Sequence, residues 1–229
     1  MGINRRELMA GTSATLAVAF AGGMTGCAAP TEAPNLNAVL DTLATTILRD
    51  SPEYATSLAV SEERAGGPYL DRWSDVSREG FLRSRSILEE GLAALAPFAE
   101  AGLTGQDAVS LEVVRTSLQN DVDSMRFVYG SGAGGPYIVN QIDGAYTWIP
   151  DFLDSQHPVT NRAQADAYLA RLSGFARYMD QESSVVALDA GAGVIAPSFC
   201  LDGAMRQLSA FAAMAPAETV LVQSLARRV

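Results

Sequence analysis

Along most of this chain apolar side chains recur at alternating steps of three and four, a spacing that admits little except helices packed on helices. Leu36, Val39, Leu40, Leu43 and Ile47 follow Asn35, a residue suited to cap a helix N-terminus. Ser51-Pro52-Glu53 predicts a restart, with serine as cap and proline in the first turn. Ser74 or Ser77 opens the next helix, whose face is Leu88, Leu92 and Leu95 up to Pro97. Thr104 caps a longer one carrying Leu111, Val114, Leu118, Val122 and Met125. From Thr160 or Asn161, the residues Ala165, Tyr168, Leu172, Phe175 and Met179 share a face, and Gly191-Ala192-Gly193 predicts the stop. Period-two alternation is confined to Tyr137–Ile142, the one candidate strand. The expectation is an all-α helical bundle over residues 36–229. Ala215-Pro216-Ala217-Glu218 predicts a last helix, which runs through Val220, Leu221 and Leu225 to Arg227-Arg228-Val229 without a capping glycine or closing loop. That pattern leaves two readings open: a natural terminal helix with a basic last turn, or a truncated one.

The first residues are of a different kind. Arg5-Arg6 precedes a mildly apolar run from Leu8 to Gly23, diluted by Gly11, Thr12, Ser13 and Thr15 and shorter than the roughly 20 apolar residues of a stable span. It resembles a twin-arginine export signal. Met24-Thr25-Gly26-Cys27 resembles the lipobox of bacterial lipoproteins, with Met24 where leucine is usual and Cys27 as the residue that receives the lipid. The alternative is a cleaved soluble signal followed by an incidental cysteine. The expected organisation is a signal peptide at 1–26, a Pro/Ala-rich tether at 27–35 and a helical domain at 36–229. This implies an exported body held by lipid at the cell envelope, with the membrane as its partner.

Composition excludes much chemistry. All 16 basic residues are arginine, against 26 acidic residues, for a net charge of −10. Without residues 1–26, 14 basic and 25 acidic residues remain, a net −11. Such a chain offers no clustered basic face for nucleic acid. The absence of lysine excludes a Walker-type nucleotide loop, a Schiff-base enzyme and a lysine-assisted serine nucleophile. With Cys27 acylated, Cys200 has no partner in the chain, so no disulfide framework supports the fold.

His157, the single histidine, follows Asp151 and Asp154. The three make a poor zinc set because neither the Asp-x-x-Asp spacing nor the following Pro158 gives the i, i+4 geometry of a zinc helix. No Gly-x-Ser-x-Gly elbow supplies a nucleophile for His157 to serve as base. The favoured reading of His157 is structural, satisfying carbonyls in a turn. Gly130–Gly135 lacks the Gly-Lys-Ser/Thr ending of a phosphate cradle and reads as a flexible connection. The pairs Asp121/Asp123 and Glu89/Glu90 do not share helix faces and read as solvated surface rather than glycosidase carboxylates. Tyr137, Tyr146, Trp148 and Phe152 either line a groove or plug the bundle. No catalytic residue emerges.

Four segments carry a family resemblance: Gly135-Pro-Tyr-Ile-Val-Asn-Gln141-Ile-Asp-Gly144, Ile149 to Val159, Asp166 to Leu172, and Ala192 to Asp202, with Ala196 in place of one proline. Their order, across about residues 50 to 229, resembles a large bacterial family of exported proteins known as a domain of unknown function. The resemblance implies a mainly helical fold two to three times this length, related to helical zinc metallopeptidases, with the zinc motif in the C-terminal half. This sequence contains no His-Glu pair, so zinc and catalysis are expected only in a full-length member and no catalytic or metal ligand carries over. What the resemblance implies for this chain is an incomplete, N-terminal part of that larger fold, inactive alone and walling a peptide-substrate groove. Tyr137, Gln141 and His157 are its candidate groove residues. A second reading is a free-standing helical envelope lipoprotein that binds peptide or scaffolds a complex. A carboxylate glycosidase using Asp151 or Asp154 is a third.

Overall fold

Asn35 caps as its position predicts. Its side chain accepts hydrogen bonds from the backbone N–H of Asn37 at 3.0 Å and Ala38 at 3.4 Å, and α1 (Leu36–Asp50) begins. Pro52 then opens the short α2 (Pro52–Ser57), although the Ser51 side chain makes no cap bond. Ser77, rather than Ser74, caps α3 (Arg78–Leu95) by accepting from Gly80 N–H at 3.1 Å. The remaining helices are α4 (Gly105–Ser124), α5 (Ala145–Ser155), α6 (Arg162–Gly191), α7 (Ser198–Ala212) and α8 (Val220–Arg228). The computed structural model describes residues 35–229, and the chain is all-helical there, with no strand among the described residues. Arg5, Arg6, Cys27 and the predicted signal and tether lie outside the described residues, apart from Asn35. No helix among the described residues is long and apolar enough to cross a membrane.

Two expectations about local structure are corrected. Tyr137–Ile142 is irregular, because the Asn140 side chain accepts from the N–H groups of Ile142 at 2.8 Å and Asp143 at 3.0 Å and bends the backbone out of any ladder. The last helix starts later than Pro216, since Pro216–Glu218 makes only a 3-10 turn and Thr219 returns to extended geometry before α8.

Two cores organise the chain. In one, α1, α3 and α4 bury Leu36, Leu43, Leu95, Leu111 and Leu118 together with Phe98. Gly91 lets α3 approach closely: a Cβ there would lie 2.7 Å from a Leu43 methyl. In the other, α5, α6 and α8 enclose Ile149, Phe152, Leu153, Tyr168, Phe175 and Leu221. Helix α6, 30 residues and so about 45 Å long, reaches both the second core and the segment between α2 and α3.

A polar cleft along the seam of helix α6

The candidate functional site follows from one row of side chains. Tyr168, Arg171, Phe175, Tyr178, Glu182, Val185 and Asp189 are all buried and sit at steps of three and four along α6. They form one face of the helix, yet three of the seven, Arg171, Glu182 and Asp189, are of charged types, which is costly unless each finds partners.

Arg171 finds uncharged ones. Its Nε donates to Arg72 O at 3.0 Å, and its Nη2 to Thr56 Oγ1 at 2.9 Å, Tyr69 O at 3.1 Å and Pro52 O at 3.3 Å. Its guanidinium lies 4.9 Å from the ring centre of Trp73 and 5.1 Å from that of Phe152. Nη1 donates to His157 Nδ1 at 3.2 Å, while His157 Nε2 lies 3.0 Å from Gln164 O. A carbonyl can only accept, so the partners fix the tautomer: Nε2 carries the hydrogen and Nδ1 accepts. Burial pushes the imidazole down to about 4 and the Arg171 guanidinium down to about 10. With both ring nitrogens engaged, His157 has no lone pair for a metal, and among the described residues no three His, Cys, Asp or Glu side chains converge on a metal position. The donor set does not fit zinc.

Asp189, at the other end of the row, accepts from Arg78 Nη2 at 2.6 Å and from Gly130 N–H at 2.7 Å, joining α3 and the glycine-rich segment to α6. That segment is a closed turn: Ser131 N–H donates to Gly135 O at 2.9 Å and Ala133 N–H to Ser124 Oγ at 3.0 Å. A Cβ on Gly130, at φ +55°, would run into the Gly135 carbonyl.

Between these two anchors α3, α5 and α6 border a cleft of about 600 Å³. Glu182 sits in its wall, 7% exposed. Both its oxygens accept from one donor, the N–H of Ala145 (2.9 and 3.2 Å), so a side chain of α6 caps α5, whose own cap position is Gly144. Burial raises its carboxyl to about 7 against that hydrogen bond. Tyr178, one turn earlier, lines the cleft beside Trp148, with ring centres 5.5 Å apart, and burial pushes its hydroxyl pKa up. Asp75, also lining the cleft, is opposed in its ionisation by burial, but hydrogen bonds from Ser77 and Arg83 outweigh this and hold it below the usual carboxylate range.

The residues singled out in the sequence are separated. Tyr137 borders the cleft. Gln141 packs by its stem against Gly203 of α7 and accepts through its backbone carbonyl from Gln207, while His157 belongs to the Arg171 cluster; neither lines the cleft. Of the aromatics, Trp148 borders it, whereas Tyr146 and Phe152 are buried in the bundle. Glu182, Asp189 and Arg78 carry no motif. The apolar face legible in the sequence runs through Leu172 and Met179, whereas the buried row from Phe175 through Tyr178, Glu182, Val185 and Asp189 holds two of them.

Residues 52–229 match the family described as "Bacterial protein of unknown function (DUF885)". The chain belongs to the DUF885 family. No curated protein matches it. Among solved structures, it resembles the crystal structure of "the putative lipoprotein from Colwellia psychrerythraea", with a TM-score of 0.74 and 19% identity over 84% of this chain and 34% of that one. At that identity the likeness shows a shared fold, and this DUF885 chain spans about a third of the solved protein's length.

Proposed function

We propose that this chain forms the N-terminal helical part of an exported, lipid-anchored, metallopeptidase-like protein. In that role it walls a substrate groove and supplies no metal ligand. The observation that carries the reading is the lopsided coverage: 84% of this chain superposes on about a third of a larger solved protein. The engaged ring nitrogens of His157 are in keeping with a wall rather than a reaction centre. Its own part is mechanical: the Arg171 cluster, the Asp189–Arg78 pair and the Glu182 cap hold α3, α5 and α6 at fixed spacing around the cleft. The test is to read the gene beyond codon 229 and express the complete frame. A continuation into a helix with a His-Glu pair, and peptide hydrolysis abolished by chelation, are expected; a stop codon there with no neighbouring partner gene overturns the reading. Mass spectrometry of the mature N-terminus checks the anchor: diacylglycerol on Cys27 is expected, and an unmodified terminus other than cysteine refutes it.

A second reading is a free-standing envelope module that binds peptide, for which the cleft of about 600 Å³, lined by Trp148, Tyr178 and Glu182, offers a site. That reading expects the full chain alone to stay in solution and to unfold cooperatively without metal.

A further inference from the structure

We infer that the cleft between α3, α5 and α6 binds the primary ammonium group of an organic ligand, with Glu182 as counter-ion and Tyr178 and Trp148 as its polar and aromatic walls. Charge gives the sign of the ligand. Asp50, Asp75, Asp143 and Glu182 line the cleft against one guanidinium, Arg78, whose Nη2 is paired with Asp189 and whose buried Nη1 has no hydrogen-bond partner among the described residues. Arg83 serves Asp50 and Asp75 together. Asp143 and Glu182 have no cationic partner among the described residues, and an anionic ligand would meet four carboxylates there.

Unused hydrogen-bonding capacity gives the position. The Glu182 carboxylate has about four acceptor sites, and a single N–H occupies it. Tyr178 is 8% exposed, and its hydroxyl has no hydrogen-bond partner among the described residues although the side chain lines the cleft. Tyr178 and Glu182 are four residues apart on α6, so they stand one above the other on the same face. An ammonium group offers three N–H donors, enough to bond both, and the indole beside them is the best of the aromatic faces for a cation. A bare metal ion fits less well, because no three carboxylates, histidines or cysteines converge among the described residues. A volume of about 600 Å³ suits a small ligand bearing the amine.

This inference stands whether or not the chain is part of a peptidase, because the ligand-binding groups are all its own. The test titrates the full chain, in mild detergent, with n-butylamine, alanyl-alanine amide, N-acetyl-alanyl-alanine amide and butyrate. The readout is the fluorescence of the two tryptophans, Trp73 and Trp148, whose rings lie 5.7 Å apart. Both amines are expected to bind and both non-amines to fail at tenfold higher concentration. Equal binding of the two amines assigns the site to a free amine, and tighter binding of the dipeptide amide assigns it to a peptide N-terminus. Glu182→Gln keeps an acceptor for Ala145 N–H, removes the charge and is expected to weaken butylamine binding at least tenfold. Tyr178→Phe, which removes only the hydroxyl, is expected to weaken it several-fold and serves if Glu182→Gln does not fold. Binding of the acetylated peptide as tight as the free one, no binding of either amine, or butylamine affinity unchanged in these variants would overturn the inference.

Discussion

At the scale of single residues, the buried ionisable groups of α6 and its neighbours set the pH range of stability. His157 is neutral in the fold, with its pKa depressed from 6.5 to about 4. Between those values the unfolded chain binds the extra proton, so the stabilisation is complete above pH 6.5 and is lost as pH falls through 4, a loss of about 3 kcal/mol in total. Glu182 runs the other way. Its pKa is raised from 4.5 to about 7, so its contribution is complete below pH 4.5 and lost as pH rises through 7, again about 3 kcal/mol. Urea unfolding of the wild type from pH 4 to 8 is expected to show a shallow maximum where these slopes oppose. Glu182→Gln should flatten the alkaline side and raise stability at pH 8, whereas a decline toward pH 8 that survives the substitution would remove Glu182 as its cause. Arg171 sets a harder limit. Arg171→Leu leaves Pro52 O, Tyr69 O, Arg72 O and His157 Nδ1 without their donor in the interior, and a loss of about 3–5 kcal/mol is expected in the same measurement.

At the scale of elements, α8 separates what a sequence can carry from what only the folded chain decides. Adjacent arginines at the end of a helix read as a basic last turn favouring their own helix dipole. In the structure Arg228 serves another helix: it donates to Leu153 O at 2.8 Å and His157 O at 2.7 Å, closing the C-terminal end of α5, and to Ser224 Oγ at 2.7 Å. Arg227 makes one exposed ion pair with Asp154, worth at most about 1 kcal/mol. Arg228→Ala is therefore expected to cost about 2–3 kcal/mol and Arg227→Ala under about 0.5 kcal/mol by chemical denaturation; equal effects would mean that only the local dipole matters. The helices themselves were legible because Asn35, Ser77 and Asn161 state where a helix starts, and each accepts a backbone N–H as a cap. The cleft was not. Its polar groups meet across 37 residues between Ala145 and Glu182 and 111 residues between Arg78 and Asp189, and no spacing rule reaches that far. Within α6 a signal did exist, since charged residues at the seam positions of a helix must be either errors of register or buried groups with partners.

At the scale of the whole chain, α7 is the element whose burial does not match its composition. Gly203 and Ala204 are its buried residues, while Phe199 is 70% exposed and Met205 61% exposed. Glycine at 203 is needed where α7 meets Gln141, since a Cβ would lie 2.7 Å from the Gln141 Cβ. The helix therefore docks by its smallest side chains and by Phe211 near its end, and turns Phe199 and Met205 outward, the reverse of what burial favours for such side chains. Water gains nothing by wetting such a surface, so the full chain is expected to self-associate as its concentration rises, through a face that contributes little to folding. The double substitution Phe199→Ser, Met205→Ser should lower the weight-average mass in sedimentation equilibrium at a given concentration while leaving the unfolding free energy within about 0.5 kcal/mol, because exposed side chains lose little on truncation. A fall in stability well beyond that would mean that these side chains already pack against the chain's own body. An unchanged mass would place the adhesive surface elsewhere, with the groove between α1 and α4, where Val109 and Val113 are exposed, as the next surface to substitute.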